Sequence, residues 1–336
     1  MASSERLASH PDIHDGCEFF ESIRVDGAEP PERPDRIDIA LLDMNHSWPN
    51  LGHDALVHIV LEAVEPFSRQ LTEAGLRIRV LSYDIRRTTS LPSSVARFPI
   101  YLGTGGPGHL DPRLNDGVGE WSQGIEETSA WEAPLFRLFD AIHAHPTATL
   151  FAVCHSFGLL CRWSGVAHAE LRAVKSSGMP LNALSDQGRN HPYFRAFADE
   201  LPDRTHFRVV DNRLFDLVVN DLSGATALAF EEVGSSALTM MEFARHPDGS
   251  PRILGVNHHP EIIDREHILT VLEEKRAHAM VTEEWYRERA ATMKDLFCGE
   301  AEFESQRTSH YTLIEPLRRQ VARVVAERCG AGARMA

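Results

Sequence analysis

The feature that most constrains this fold is the repeated alternation of apolar, strand-like runs with helical segments between residues 37 and 153. Short apolar or alternating runs predict buried strands at 37–43, 76–83, 98–102 and 147–153. Apolar residues at helical spacing predict helices over 53–74, which Gly75 ends, and over about 131–144. Strand–helix–strand units in this order favour an α/β fold, a mostly parallel sheet with helices on both faces.

The remainder of the chain reads differently. Short apolar runs separated by turn residues predict strands and hairpins at 206–210, 214–219, 225–230, 237–243 and 252–256. After Glu261 the pattern becomes helical, with one helix predicted across 263–296 and a second across 311–328. The apolar face of 268–286 is expected to pack within the chain, and a homodimer contact is the alternative. We therefore predict a loose N-terminal extension (1–36), an α/β domain (37–275) and a C-terminal helical extension (276–336).

Composition excludes several classes of partner. The formal net charge of −15 opposes binding to nucleic acid or to an anionic membrane. No apolar run approaches the roughly 20 residues that cross a bilayer, and the polar N-terminus lacks the apolar core of a signal peptide. The five cysteines are scattered and odd in number, which predicts free thiols in a reducing cytoplasm.

A cysteine directly follows the last of the alternating strands. Residues 151–160 read Phe-Ala-Val-Cys-His-Ser-Phe-Gly-Leu-Leu, so an apolar strand ends at Cys154 and a helix begins. A sharp strand-to-helix turn would expose the thiol at a helix N-terminus, which favours the thiolate, and the His155 N–H could stabilise an oxyanion. A buried structural cysteine is the alternative. Cys161, further along this helix, is predicted to lie in the core.

A glycine-rich turn, called the glycine loop below, follows strand 98–102. Residues 103–109 read Gly-Thr-Gly-Gly-Pro-Gly-His and formally satisfy GxGxxG. The residues from Pro107 onward do not open a helix, so no helix N-terminus would be available to hold a pyrophosphate. Exposed backbone amides in such a loop can serve an oxyanion instead. A plain tight turn is the alternative.

The third segment, residues 255–261, reads Gly-Val-Asn-His-His-Pro-Glu and ends an apolar strand. Alternation along an extended chain predicts His259 and Glu261 on the same side, with Pro260 holding the residue before it extended. The carboxylate can then orient the imidazole, which serves as general base to a thiol. The adjacent pair of histidines also suggests a metal site, but no Cys, Asp or Glu lies at ligand spacing, so no metal is predicted.

Taken in this order, the three motifs resemble the class I glutamine amidotransferase superfamily, in which a Cys-His-Glu triad lies on a flavodoxin-like sheet. The resemblance covers about residues 37–275. It implies Cys154 as nucleophile, His259 as the base and Glu261 as its partner. The other implied site residues are Gly106 and His155, through their backbone N–H groups at the oxyanion, and Gly105, Ser156 and Phe157 beside the substrate.

The resemblance implies a cysteine-dependent amidase that needs no cofactor. Its small-molecule substrate would be glutamine or a γ-glutamyl amide, hydrolysed through a γ-glutamyl thioester. No ATP-binding or synthetase module is visible in the chain, so any chemistry that uses the ammonia would belong to a synthetase partner subunit.

The chain also departs from the family pattern around the cysteine. Members usually read Gly-x-Cys-x-Gly-His-Gln, whereas this chain has Ala152, Ser156, Phe157 and Gly158 at the corresponding positions. Two alternatives therefore stay open. One is an acyltransferase of the homoserine acyltransferase type, for which acyl-CoA is the discriminating ligand, and the other is a non-catalytic binding or regulatory subunit.

Overall fold

The computed structural model describes residues 17–46, 51–119, 122, 124–263, 265–279, 281–296 and 299–332. Its strands are β1 (Phe20–Arg24), β2 (Arg36–Asp43), β3 (Arg77–Asp84), β4 (Ile100–Gly103), β5 (Thr149–Val153), β6 (Ala167–Gly178), β7 (Leu181–Leu184), β8 (His206–Arg208), β9 (Asp211–Val219), β10 (Thr226–Phe230), β11 (Leu238–Arg245) and β12 (Pro251–Val256).

The helices are α1 (Leu51–Val64), α2 (Ser68–Glu73), α3 (Ile85–Thr88), α4 (Glu132–Ala144), α5 (His155–Ser164), α6 (Asp186–Arg189), α7 (Arg195–Glu200), α8 (Arg265–Ala277), α9 (Glu283–Leu296), α10 (Gly299–Ser309) and α11 (Glu315–Gly332). A π-helical turn, His310–Ile314, joins α10 to α11. Within the described residues, no helix is both long and apolar enough to cross a bilayer.

Ten strands form one mixed sheet in the order β1-β3-β2-β4-β5-β12-β11-β10-β7-β8. The six strands from β1 to β12 run parallel to one another, and the four beyond β12 are antiparallel. Numbered among themselves, β3-β2-β4-β5-β12 have the flavodoxin-like order 2-1-3-4-5. The predicted α/β fold class is therefore confirmed, and β6 and β9 form a separate two-stranded ribbon.

Each face of the sheet is covered by its own apolar cluster. On one face, α1 and α11 pack with the sheet through residues such as Leu56 and Leu317. On the other, α4 and α5 contribute Leu135 and Leu159 to a cluster that includes Trp131. The predicted helix over 53–74 is divided into α1 and α2 by a 3₁₀ turn at Glu65–Phe67 that contains a proline. Proline breaks a helix because it lacks an N–H and its ring crowds the preceding turn.

The N-terminal prediction needs a correction. Residues 1–16 lie outside the described part of the chain, but β1 falls within the predicted loose extension and pairs in parallel with β3. Glu29, in the proline-rich stretch that follows, accepts hydrogen bonds from Tyr83 and Ser93. The sequence did not indicate this strand because it is five residues long and only Phe20 in it is buried.

The ribbon strand β6 and the short strand β7 were also missed, whereas β8 to β12 lie where strands were predicted. β6 is largely exposed, with a burial pattern that alternates only weakly, so it has no apolar run to mark it. An exposed ribbon leaves little hydrophobic periodicity in the sequence.

The C-terminal helices differ from the prediction in number. Residues 263–296 do not form one helix, because α8 ends at Ala277 and Ala279 adopts a left-handed φ of 54° before α9 begins. Both helices contribute to one apolar cluster that includes Ile268, Leu272 and Met293, which explains why their pattern reads as continuous. Since α8 crosses the predicted boundary at residue 275, the division into domains stays a prediction.

A buried ion pair fastens α8 to α1. Lys275 Nζ lies 2.9 Å from Asp54 Oδ2, and both side chains are less than a tenth exposed. Asp54 also hydrogen-bonds to His53, whose other ring nitrogen lies 2.9 Å from Ser82 Oγ. Burial alone would raise the pKa of Asp54, but the His53 hydrogen bond and the Lys275 charge outweigh it and hold the pKa well below its ordinary value.

We expect Lys275→Met to lower the free energy of unfolding by about 3–5 kcal/mol, because it leaves Asp54 buried without its cation. Urea unfolding at neutral pH measures the loss. The control Arg276→Met removes an exposed pair with Glu273 and should cost much less, because exposed ion pairs contribute little to stability. Equal losses in the two variants would contradict an anchoring role for Lys275. Because the pKa of Asp54 is lowered, the contribution of the pair should be lost as the pH falls into the acid range.

Candidate functional site

The three predicted motifs meet at the carboxyl edge of the parallel strands. The glycine loop follows β4, Cys154 follows β5, and residues 257–261 follow β12. The adjacent strand β2 ends at Asp43, and its hydrogen-bonded neighbours β3 and β4 lie on opposite sides of it. In open α/β sheets, the crevice at such a topological switch point is where ligands bind.

Cys154 lies in a sharp strand-to-helix turn, as predicted. Its φ of 49° and ψ of −104° place a non-glycine residue in a backbone region that L-residues rarely adopt. Its N–H donates to Val256 O (2.7 Å), and its carbonyl oxygen accepts from Gly158 N–H (2.9 Å). Strain of this kind costs on the order of 1–3 kcal/mol and persists only where the surroundings impose it. Cys154 is partly exposed at the N-terminus of α5, whereas Cys161 lies in the core, where burial raises its thiol pKa well above the ordinary value.

Glycines on the strands beside β5 give the turn its space. A Cβ atom built on Gly103 would lie 2.5 Å from Ser156 Oγ, so the serine fits only because residue 103 has no side chain. In return, Ser156 donates from Oγ and from its N–H to Thr104 O, at 2.5 and 3.3 Å. Ser156, at a position where the resembled family usually has glycine, thus links the turn to the glycine loop through hydrogen bonds.

Phe157 and Gly158 are accommodated in the same way. A Cβ atom on Gly255 would lie 2.1 Å from the Phe157 ring, and one on Gly158 would lie 2.4 Å from a methyl carbon of Leu110. Phe157 is fully buried, and Ser156 is engaged by Thr104. These two side chains therefore pack into the framework of the turn, and their place beside the substrate stays a prediction.

His259 and Glu261 are brought together as predicted. His259 Nδ1 lies 2.8 Å from Glu261 Oε1, with 17% of the His259 side chain exposed and none of the Glu261 side chain. The local conformation differs from the expected extended one, because β12 ends at Val256 and Ile262 N–H donates to His259 O (3.3 Å) in a turn. His259 N–H donates to Val210 O (2.8 Å), which fixes the backbone before the turn.

The electrostatics of His259 favour its protonated form. Burial alone would lower the pKa of the imidazole, but the Glu261 carboxylate and the charge and hydrogen bond of Cys154 outweigh it and raise the pKa well above the ordinary value. His259 therefore lies between Glu261 and Cys154, as expected of a general base beside a nucleophilic cysteine.

Gly105 shows how closely the loop approaches both groups. A Cβ atom built on it would lie 3.0 Å from Cε1 of His259 and 3.5 Å from Cβ of Cys154. The glycine loop, the turn and the His259–Glu261 pair thus lie within van der Waals range of one another. Together they form one site, called the Cys154 site below.

The two candidate oxyanion donors, the backbone N–H groups of Gly106 and His155, belong to the Cys154 site. Gly106 packs so closely on β2 that a Cβ atom would lie 2.3 Å from Met44 O. His155 is the first residue of α5, so its N–H has no intrahelical acceptor. Burial lowers the pKa of the His155 imidazole well below its ordinary value, and the nearby Arg86 charge acts in the same direction.

The other histidine of the pair, His258, turns away into the fold. Its Nε2 lies 3.3 Å from Thr312 Oγ1, and burial lowers its pKa to about 3. Among the residues that the structure describes, no three His, Cys, Asp or Glu side chains are grouped as metal ligands.

Three residues at this edge were not found from the sequence. They are Thr104, which hydrogen-bonds to the loop and to β2, Arg86, whose side chain is fully buried beside the loop, and Leu110, which covers Gly158. Thr104 directly follows β4 and Arg86 lies just after β3, and no sequence motif marked either residue. Leu110 belongs to the irregular segment after the loop, where no sequence periodicity operates.

Similar solved structures were found, although no protein-family model and no curated protein matches the chain in sequence. One is a glutamine amidotransferase from Thermotoga maritima, with 13% identity and a TM-score of 0.48, covering 84% of this chain and 98% of that one. Another is a glutamine amidotransferase from Methylobacillus flagellatus, with 14% identity and a TM-score of 0.42, covering 88% of this chain and 95% of that one.

We expect the pKa of His259 to fall in both Cys154→Ser and Glu261→Gln, and to fall further in the second variant. Each change removes one negative partner, and Glu261 exerts the larger attraction. NMR titration of the His259 Cε1 proton, assigned by comparison with His259→Asn, measures the pKa directly and needs no substrate. The exposed change Glu266→Gln is the control. An unchanged pKa in both variants would contradict the coupling.

Proposed function

We propose that this chain is a cysteine-dependent amidase that hydrolyses glutamine or a γ-glutamyl amide. The observation that carries the proposal is the left-handed φ of Cys154 at a helix N-terminus, together with the hydrogen-bonded His259–Glu261 pair, which lies with Cys154 against Gly105. Strained backbone at a partly exposed nucleophile is the arrangement of a nucleophile elbow. The ordered resemblance of the three motifs supports an amide of the γ-glutamyl type.

The first half of the reaction forms a thioester. The Cys154 thiolate attacks the carbonyl carbon of the side-chain amide, and the resulting oxyanion is stabilised by the N–H groups of Gly106 and His155. The His259 imidazolium donates its proton to the nitrogen as the C–N bond breaks, which releases ammonia or an amine. Glu261 stabilises the imidazolium and holds the ring in orientation.

The second half hydrolyses the thioester. His259, now neutral, removes a proton from water as the water oxygen attacks the carbonyl carbon, and the tetrahedral intermediate expels the Cys154 thiolate. One water is consumed for each amide cleaved, and the acid product leaves with the new oxygen. The ammonia would pass to a synthetase partner subunit. The free cysteines of the described residues are compatible with a reducing cytoplasm, which we propose as the location of this protein.

One observation favours acyl transfer as a second candidate. The resembled family commonly has glutamine at the position of Gly158, and here Leu110 occupies the space that any side chain at 158 would need. The polar side chain that the resembled family has at this position is therefore replaced by the buried, apolar Leu110. Loss of that polar group favours an acyl group donated by acyl-CoA to a hydroxyl over free glutamine.

Labelling with 6-diazo-5-oxo-norleucine, a reactive glutamine analogue, followed by peptide mass spectrometry tests the proposal. We expect an adduct confined to Cys154 and blocked by excess glutamine, while iodoacetamide reports general thiol reactivity. Cys17 and Cys329, both partly exposed, serve as internal controls. Alkylation of Cys154 by iodoacetamide without any adduct from the analogue would contradict a glutamine substrate and direct the search to acyl-CoA. Failure of both reagents at Cys154 would favour the non-catalytic binding subunit.

Kinetics separate the roles of the triad residues. We expect Cys154→Ala to abolish turnover, because no other group can form the thioester. Glu261→Gln should lower kcat on the order of 100- to 10,000-fold with little change in KM, because it weakens stabilisation of the imidazolium and leaves the nucleophile in place. Circular dichroism and the unfolding midpoint control for folding. Retained turnover in Cys154→Ala would remove the cysteine from its assigned role.

A further inference from the structure

The glycine loop is held by a hydroxyl whose hydrogen-bonding capacity is fully used. Thr104 Oγ1 donates to Gly105 O (2.7 Å), and it accepts from Met44 N–H (2.9 Å) and from Asn45 Nδ2 (3.2 Å). A threonine hydroxyl offers one proton and two lone pairs, so these partners occupy both lone pairs and the proton, for which Asp43 Oδ1 at 3.4 Å is a second, longer acceptor. Thr104 is fully buried, and its own carbonyl oxygen accepts from Ser156 on the cysteine turn.

A buried guanidinium holds the far end of the loop. Arg86 Nη1 donates to Met44 O (2.9 Å) and to Pro107 O (2.6 Å), so it joins the end of β2 to the loop. The rest of the guanidinium forms a two-bond ion pair with Glu127, and the two side chains are 0% and 1% exposed. Glu127 is fixed in turn by Trp131 Nε1, at 3.1 Å.

These contacts determine the direction of one amide. In a planar trans peptide the C=O and the N–H point to opposite sides, so the bond from Thr104 to Gly105 O turns the Gly106 N–H away from Thr104. The Gly106 N–H donates to no backbone carbonyl among the described residues. Gly106 cannot shift toward β2 because it already lies against Met44 O.

We infer that Thr104 and Arg86 are positioning residues, which hold the glycine loop in the conformation that leaves the Gly106 N–H free for the oxyanion. The inference rests on the proposed acyl chemistry of Cys154. Without the Thr104 hydroxyl, the Gly105–Gly106 peptide is free to rotate between two glycines that resist rotation poorly. Without the guanidinium fork, Pro107 O and Met44 O lose their common donor.

Single-turnover acylation by p-nitrophenyl acetate, with enzyme in excess, tests the inference and does not require the natural substrate. We expect Thr104→Val to slow release of p-nitrophenolate by about 10- to 100-fold, because a displaced oxyanion donor loses most of its effect. The rate of Cys154→Ala is subtracted as background. Alkylation of Cys154 by iodoacetamide passes through no oxyanion, so its rate in Thr104→Val should stay within about twofold of wild type.

Matched variants separate positioning from packing. Thr104→Ser keeps the hydroxyl and should restore acylation to within a few-fold of wild type. Thr149→Val, at the opposite end of β5, also removes a buried threonine hydroxyl, which lies 3.1 Å from His246 Nε2, and should leave acylation unchanged. If Thr104→Val does not fold, Arg86→Lys replaces it, since lysine keeps the charge for Glu127 but lacks the planar fork. It should slow acylation without slowing alkylation.

The outcomes are distinguishable. The positioning role would be overturned if the wild type is acylated and both Thr104→Val and Arg86→Lys are acylated as fast as Thr149→Val. The proposed function would then remain intact. Equal slowing of acylation and alkylation would mean that Thr104 supports the fold alone, and would also overturn it. No acylation in the wild type, with Cys154 still alkylated, would overturn the proposed acyl chemistry itself.

Discussion

The left-handed conformation of Cys154 is the constraint on which the rest of the site depends. A strand-to-helix turn this tight needs space on both sides of β5, and the neighbouring strands supply it through Gly103 and Gly255, which flank Ala152 in register. Their missing side chains admit Ser156 and Phe157. In this chain the glycines that make room for the turn therefore lie on the two neighbouring strands. In the resembled family the corresponding glycines lie within the turn itself.

The polar groups at the carboxyl edge form a connected framework. Hydrogen bonds run from Ser156 through Thr104 to Asn45 and Asp43, and Arg24 joins Asp43 to His53, beside the buried pair that holds α8. Buried polar groups are costly unless all are satisfied, and a satisfied network is correspondingly rigid. In this protein the hydrogen bonds of Asp43, Asn45 and Thr104 lie behind the loop and the turn, which suits a site that must hold its geometry before a ligand arrives.

The motifs with local periodicity or fixed spacing were predictable. The turn at Cys154 follows from an apolar strand leading into a helix. The contact between His259 and Glu261 was also predicted, although from an extended chain and not from the turn in which the two residues lie. Two of the strands that were missed, β1 and β6, have few buried residues, and the helix predicted over 263–296 is interrupted by one backbone torsion at Ala279. Hydrophobic patterning reports which side of an element is buried, but neither a single left-handed residue nor an exposed strand changes that pattern.

The sequence by itself determined the α/β class, the strands other than β1, β6 and β7, and the three segments that form the candidate site. It did so because burial of alternating or continuous apolar residues imposes a period on each element. Only the tertiary structure decided which groups surround those segments. Arg86, Thr104 and Leu110 act on residues distant in the chain or across strands, and their roles depend on distances that no local pattern encodes. Contacts between strands become specific only when the sheet has placed them side by side.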